Sequence, residues 1–125
     1  MPHVHRPAAD ATAATAHEKW GSLNWLANRA LTDSSVTVGR TIIRPGMCNP
    51  RHSHPNCEEV LYLLRGRLKH SVADRFVDLE AGDTIVIPKG VVHNATNVGD
   101  VDADMIVVFS SGERDFLPEK AGESE

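Results

Sequence analysis

The 125-residue chain carries a formal net charge of -4 with its histidines neutral, and 41% of its residues are hydrophobic. This balance, without a run rich in lysine or arginine, excludes a basic nucleic-acid-binding face and an electrostatic attachment to an anionic membrane. The length fits one domain with a single hydrophobic core, and no apolar run approaches the roughly 20 residues that cross a bilayer.

The first 16 residues are rich in alanine, threonine and proline and lack an apolar period, so they predict a flexible N-terminal tail. His3 and His5 lie in this tail and are expected to be solvated. The tail has no apolar segment of the secretory type, which favours a cytoplasmic protein. Cys48 and Cys57 show no CxxC spacing, and we expect both to be reduced thiols.

The rest of the chain predicts short strands separated by turns. Trp20 and Trp25 require burial, either across the domain or against a second subunit. The predicted strands are 36–44, 60–64, 67–72, 76–79, 84–87, 91–97 and 105–109. Turn signals every eight to twelve residues indicate an all-β sandwich or barrel over residues 17–112. Residues 113–125 are polar and predict a second tail.

The central stretch holds the residues with the clearest chemistry. His52 and His54 are two positions apart, so on an extended strand both side chains point to the same face. Glu58 and Glu59 follow them, and His93 lies in a second, similarly polar stretch. Glu59 shares the parity of the apolar residues two and four positions later, which favours it over Glu58 as an inward-facing carboxylate.

Two spacing patterns carry a family resemblance. The first is Gly46, five residues, His52, one, His54, four, Glu59, six, Gly66; the second is Gly82, five, Pro88, one, Gly90, two, His93, three, Asn97. Both resemble the signature motifs of the cupin superfamily. The resemblance implies a double-stranded β-helix, or jelly-roll barrel, with one metal ion held by His52, His54, Glu59 and His93.

Three imidazoles and one carboxylate suit a divalent Fe, Mn, Ni, Co, Cu or Zn ion. Such an ion keeps one or two open positions, as catalytic metals do. We therefore expect a small-molecule metalloenzyme of dioxygenase, isomerase, decarboxylase or lyase type. The alternative is a non-catalytic cupin that uses the metal to bind or sense a small molecule. The tryptophan segment and the exposed face of the Tyr62 strand predict a homodimer.

Further pocket candidates are His70, which is in phase with apolar strand positions, and three arginines suited to gripping a carboxylate, namely Arg40, Arg44 and Arg51. The segment from Phe109 to Phe116 resembles the tail of small cupins that open unsaturated uronate sugars. In that pattern an acidic residue stands two places before the first phenylalanine, where this chain has Val107.

Overall fold

The computed structural model of the protein describes residues 2–120. Eleven short strands and two short helices make up this part of the chain. The strands are β1 Ala16–Glu18, β2 Gly21–Ala27, β3 Thr37–Ile43, β4 His52–Ser53, β5 Glu59–Arg65, β6 Arg67–Val72, β7 Arg75–Glu80, β8 Thr84–Ile87, β9 His93–Asn97, β10 Ala103–Phe109 and β11 Leu117–Pro118. The helices are α1 Ala8–Ala13 and α2 Arg29–Thr32.

The strands form two antiparallel sheets. One has the order β1-β2-β3-β10-β5-β8 and the other the order β11-β4-β9-β6-β7. Strands that are neighbours in sequence repeatedly lie in different sheets, as in a jelly roll, and the predicted all-β barrel is confirmed. Neither helix in the described part is long and apolar enough to span a membrane.

The alternation along β5 shows how the sequence fixes the interior of the barrel. Glu59, Leu61 and Leu63 are at most 5% exposed, whereas Tyr62 and Leu64 are more than 40% exposed. This is the parity that the sequence predicted. The core joins both sheets, and its buried members are Ile43, Cys57, Leu61, Leu63, Leu68, Leu79, Ala95, Ala103, Met105, Val107 and Phe109.

The turn from β5 to β6 depends on Gly66. Its φ of +92° lies in a region that other residues rarely adopt, and an added Cβ would approach the Cα of Ala103 to 2.9 Å. Glycine therefore lets the β5–β6 connection lie directly against the start of β10. Beyond a register shift between Asp104 and Met105, β5 pairs with β10 as far as Glu59, which lies opposite Phe109.

The N-terminal segment differs from the predicted flexible tail. Residues 8–13 form α1, and β1 pairs with β2 through the register Ala16 to Leu23. Alanine-rich sequence favours a helix, but six residues are too few to show an amphipathic period. The side chain of Ala11 is buried, which ties α1 to the barrel.

The C-terminal segment also differs from the predicted polar tail. β11 pairs with β4 in the register Leu117 to Ser53 and Pro118 to His52. Residues 113–118 therefore lie beside the strand that carries the first motif histidine. The part of the predicted tail at 121–125 lies outside the described residues.

Candidate metal centre

The four motif residues come from both sheets and meet inside the barrel. His52 lies in β4, His54 directly after it, and His93 at the start of β9, where the register pairs it with His52. Glu59 begins β5 in the opposite sheet. All four are buried, and one potential ligand atom from each lies within 4.8 Å of the others. The structure thus assembles the predicted cluster.

Backbone carbonyls orient all three imidazoles in the same way. Nδ1 of His52 lies 2.6 Å from the carbonyl oxygen of Pro50, and Nδ1 of His93 lies 2.9 Å from that of Val91. Nδ1 of His54 lies 2.9 Å from the carbonyl oxygen of Asp115. A carbonyl only accepts hydrogen bonds, so each neutral ring carries its proton on Nδ1 and a lone pair on Nε2.

The three Nε2 lone pairs and the Glu59 carboxylate are arranged as the ligands of one divalent cation would be. Nε2 of His93 lies 2.9 Å and Nε2 of His54 lies 3.3 Å from Oε1 of Glu59, and Nε2 of His54 is buried without a hydrogen-bond partner. Ligand atoms about 2.1 Å from one ion lie about 3 Å apart when adjacent and about 4.2 Å apart when opposite. These two separations suit adjacent ligands of a single metal.

The sequence places this barrel in a known family. Residues 39–109, more than half of the chain, match the Cupin domain family. The chain belongs to this family. Its cupin motifs, its jelly-roll sheets and its three-histidine, one-carboxylate cluster agree with one another.

This cupin matches only part of the length of its relatives and of the similar solved structures. Germin-like protein 3-8 of Oryza sativa subsp. japonica is 38% identical over 86 residues, which make up 65% of this cupin and 38% of that protein. A recombinant oxalate oxidase in complex with glycolate has a TM-score of 0.72 at 26% identity, over 82% of this cupin and 56% of that chain. A Lactobacillus farciminis oxalate decarboxylase formate complex has a TM-score of 0.77 at 24% identity, over 83% of this cupin and 32% of that chain.

The protonation states of the cluster suit metal binding. Burial, the largest influence on Glu59, opposes its ionisation; when no cation lies between them, protons taken up on Nε2 of His54 and His93 supply hydrogen bonds and charge that outweigh burial and hold the pKa of Glu59 well below its ordinary value. Burial lowers the pKa of His52 to about 4. Near neutral pH the centre therefore offers an ionised carboxylate and a neutral His52 ring, the forms in which these groups bind metals.

His70, a predicted pocket residue, lies in the cavity beside the cluster. Its ring is 1% exposed and stacks on His93 with centroids 5.7 Å apart and planes 12° apart. Nδ1 donates to the carbonyl oxygen of Ser71 at 2.9 Å, which leaves the lone pair on Nε2. Burial lowers the pKa of His70 to about 4, so near pH 7 the ring is neutral and its Nε2 is a hydrogen-bond acceptor.

A cavity of about 180 Å³ opens beside the four ligands. Its volume is below the roughly 300–1,000 Å³ of pockets for drug-sized molecules, so it suits a small metabolite. Its lining is mostly apolar and includes both tryptophans, which confirms that they pack on this domain. The lining side chains include Trp20, Leu23, Trp25, Thr41, Asn49, Leu61, His70, Ala95, Met105, Val107, Phe109, Arg114 and Phe116.

The three arginines named from the sequence as pocket candidates lie outside the cavity. Arg40 is on the outer face of β3, where two of its nitrogens bind the Asp104 carboxylate at 2.9 and 2.7 Å. Arg44 is exposed and reaches the carbonyl oxygen of Glu18 at 3.4 Å. Arg51 points away from the cavity and binds Glu119 at 3.1 Å. Strand parity explains the first two, because Thr41 and Ile43 are the inward residues of β3.

The C-terminal segment supplies cavity residues that sequence reasoning missed. Phe116 stacks on His52 with centroids 4.8 Å apart, and Arg114 lines the same cavity. Asn56 holds this segment by donating to the Glu113 carbonyl at 2.7 Å and accepting from the Asp115 amide at 2.9 Å. In the sequence, the similarity of residues 109–116 to the tail of other small cupins was the one indication that this segment belongs to the site. β11 has only two residues, too few to show the alternating pattern from which strand pairing is predicted.

Proposed function

We propose that this cupin is a divalent-metal-dependent enzyme that acts on a small molecule with adjacent oxygen donors. The observation that carries the proposal is the convergence of three carbonyl-oriented imidazoles and Glu59 at the edge of the cavity. His52, His54, Glu59 and His93 would hold Fe, Mn, Ni, Co, Cu or Zn. An ion of this kind prefers five or six ligands, so one or two positions remain for substrate oxygens.

The residues around the centre fit a reaction of dioxygenase, isomerase, decarboxylase or lyase type. When bound, the metal supplies Lewis-acid polarisation of substrate oxygens and, for a redox-active ion, electron transfer. Nε2 of His70 can accept a hydrogen bond from a substrate inside the cavity. The aromatic side chains Trp25, Phe109 and Phe116 give this cavity an apolar wall beside the ligands.

The similar solved structures support an oxygen-donor ligand. The oxalate oxidase structure, 26% identical to this cupin, holds glycolate, a small acid whose hydroxyl and carboxylate oxygens are adjacent. A molecule of that kind can offer two oxygens to one metal and fits a cavity of about 180 Å³. The fold hosts many reactions, so turnover of different substrate classes distinguishes among the four reaction types.

The test begins with tag-free protein, metal analysis and turnover. We expect near-stoichiometric divalent metal in the wild type and none in His52→Ala, because that ring supplies one of four ligands. The metal-loaded wild type is then incubated with oxalate, glycolate, keto acids and keto sugars, with oxygen consumption and product formation measured. Metal binding with no turnover of any of these acids or sugars would instead favour the non-catalytic binding cupin.

We also propose that the protein forms a homodimer through the outer face of its six-stranded sheet. Tyr62, Leu64 and Val86 are 43%, 47% and 53% exposed on that face. The register places Ile106 beside Tyr62 and Val108 beside Val60, which extends the apolar surface across three strands. A second copy would present the same surface and cover it symmetrically.

Sedimentation at micromolar concentration checks the dimer. We expect a dimeric mass for the wild type and a monomeric mass for Tyr62→Lys, because a charge on the apolar face opposes its burial. Phe76→Lys is the control, since Phe76 is 64% exposed on β7 in the other sheet. A monomeric wild type, or dissociation caused by the control alone, would contradict this interface. We also propose a cytoplasmic location, in which a reducing environment would keep Cys48 and Cys57 as thiols.

A further inference from the structure

Arg114 places a guanidinium at the wall of the metal cavity. Its central carbon lies 4.4 Å from the ring centroid of Trp25, 5.2 Å from that of Phe109 and 5.4 Å from that of Phe116. These rings attract the cation through their π-faces, but they offer no acceptor in the plane of the guanidinium. Arg114 is thus held in position by aromatic side chains, and within residues 2–120 no carboxylate forms an ion pair with it.

The hydrogen bonding of Arg114 differs from that of the other well-placed arginines. Arg40 binds Asp104 and Arg51 binds Glu119, so each meets a carboxylate. Within residues 2–120, Nε of Arg114 is buried and has no hydrogen-bond partner. A buried donor without an acceptor costs stability, and a donor of this kind beside a cavity points to an acceptor that arrives with a ligand.

The charges around the cavity favour an anionic ligand. Glu59 would offset one of the two charges of a divalent ion, and the neutral histidines offset none. Arg114 adds a second uncompensated positive charge. Burial raises the pKa of Cys57, so this thiol adds no negative charge near pH 7. Glu18 is the other carboxylate in the lining, and it is exposed at the rim, where water and salt screen it.

We infer that Arg114 binds a carboxylate of the substrate, separate from the oxygens that bind the metal. The inference rests on the proposed function, and it narrows the substrate class to small acids with a second anionic group. The planar guanidinium matches a carboxylate through two parallel hydrogen bonds. A dicarboxylate would neutralise both uncompensated charges, and a cavity of about 180 Å³ limits it to a few carbon atoms.

Matched pairs of acids test the role of Arg114. Protein loaded with one equivalent of Mn²⁺ is titrated calorimetrically with oxalate and its monoamide oxamate, and with succinate and its monoamide succinamate. Each monoamide keeps the size of the diacid and loses one charge. We expect the wild type to bind at least one diacid about 10- to 100-fold more tightly than its monoamide.

Three variants separate charge recognition from folding. Arg114→Met keeps the length and the apolar contacts, and is expected to remove the diacid preference without changing the Kd of the monoamide. Arg114→Lys keeps the charge and is expected to show a diacid preference between those of the wild type and Arg114→Met. If Arg114→Met does not fold, the comparison of Arg114→Lys with the wild type tests the inference. Arg40→Met is the control, because Arg40 is on the outer face of β3, and should keep the wild-type preference.

Distinct outcomes overturn the inference and the proposed function. If the wild type holds metal but shows no diacid preference, or if Arg114→Met keeps the preference, Arg114 does not bind a substrate carboxylate and the metal enzyme stands. If inorganic phosphate is preferred to both diacids and Arg114→Met removes that preference, the carboxylate assignment is wrong. If the wild type holds no divalent metal under any loading condition, the proposed function itself fails.

Discussion

Glu59→Gln is expected to weaken divalent-metal binding by more than about 100-fold. Mutating a residue that merely hydrogen-bonds to a metal ligand lowers metal affinity about 10- to 100-fold, and this substitution changes a candidate ligand itself. The amide keeps the size of the side chain but removes the negative charge from a site where Oε1 lies 2.9 and 3.3 Å from two imidazole nitrogens. Metal at about 100 times its Kd stabilises the wild type by about 2.7 kcal/mol. That stabilisation should be absent in the variant when both are heated with and without metal.

The neighbouring Glu58 provides the matched control for this change. Glu58 is exposed and faces away from the cluster, so Glu58→Gln removes the same charge without removing a ligand. We expect its metal affinity and its metal-induced rise in Tm to equal those of the wild type. A Glu59→Gln protein that kept stoichiometric metal at wild-type affinity would show that the carboxylate is not a ligand.

Leu63→Ala should have the largest effect on the stability of the barrel itself. Leu63 is fully buried in the centre of β5, so truncation removes apolar contacts and leaves a cavity between the sheets. We expect a loss of about 2–5 kcal/mol in the free energy of unfolding, from a total that is about 5–15 kcal/mol for domains of this kind. Urea denaturation of the metal-free protein measures the change.

Leu31→Ala is the control for the core substitution. Leu31 is 43% exposed on α2, so the same chemical change leaves no internal cavity and should cost less than about 1 kcal/mol. Equal losses for the two variants would mean that the interior does not close around Leu63.

The sequence predicted the barrel and its four candidate metal ligands because both leave a local pattern. The parity of β5 holds from Glu59 to Leu64, since its inward residues are Glu59, Leu61 and Leu63 and its outward ones include Tyr62. The two histidines of the first motif share a face for the same reason. His70 was also predicted from its parity, and the structure places it at 1% exposure in the cavity.

Parity failed for Arg40 because β3 is apolar on both faces. Val38 and Ile42 share the face of Arg40 and lie on the outside of the sheet, whereas Thr41 and Ile43 point inward. Hydrophobicity alone cannot choose between two such faces, and only the pairing of β3 with β2 and β10 decides it. The apolar outer residues are explained if a second subunit covers them, as proposed above.

The role of the C-terminal segment could not be predicted because it depends on contacts between distant parts of the chain. Asp115 orients His54 through a backbone carbonyl, and a carbonyl is present at every position of any sequence. Arg114 and Phe116 are cavity residues only because β11 pairs with β4. Nothing in the polar composition of residues 113–120 distinguishes this arrangement from a solvated tail.

The position of Arg114 and Phe116 has a consequence for how such a site can diverge. Among the candidate ligands, Glu59 and His93 belong to strands whose other side chains form the core, so changes in these strands affect folding and the metal site together. The segment 113–118 touches the barrel through a two-residue ladder and a few hydrogen bonds. Its contact with the candidate ligand His54 is made by the backbone carbonyl of Asp115, which every residue type supplies. Side-chain changes at Arg114 would therefore reshape the cavity wall while the core and this backbone contact are retained.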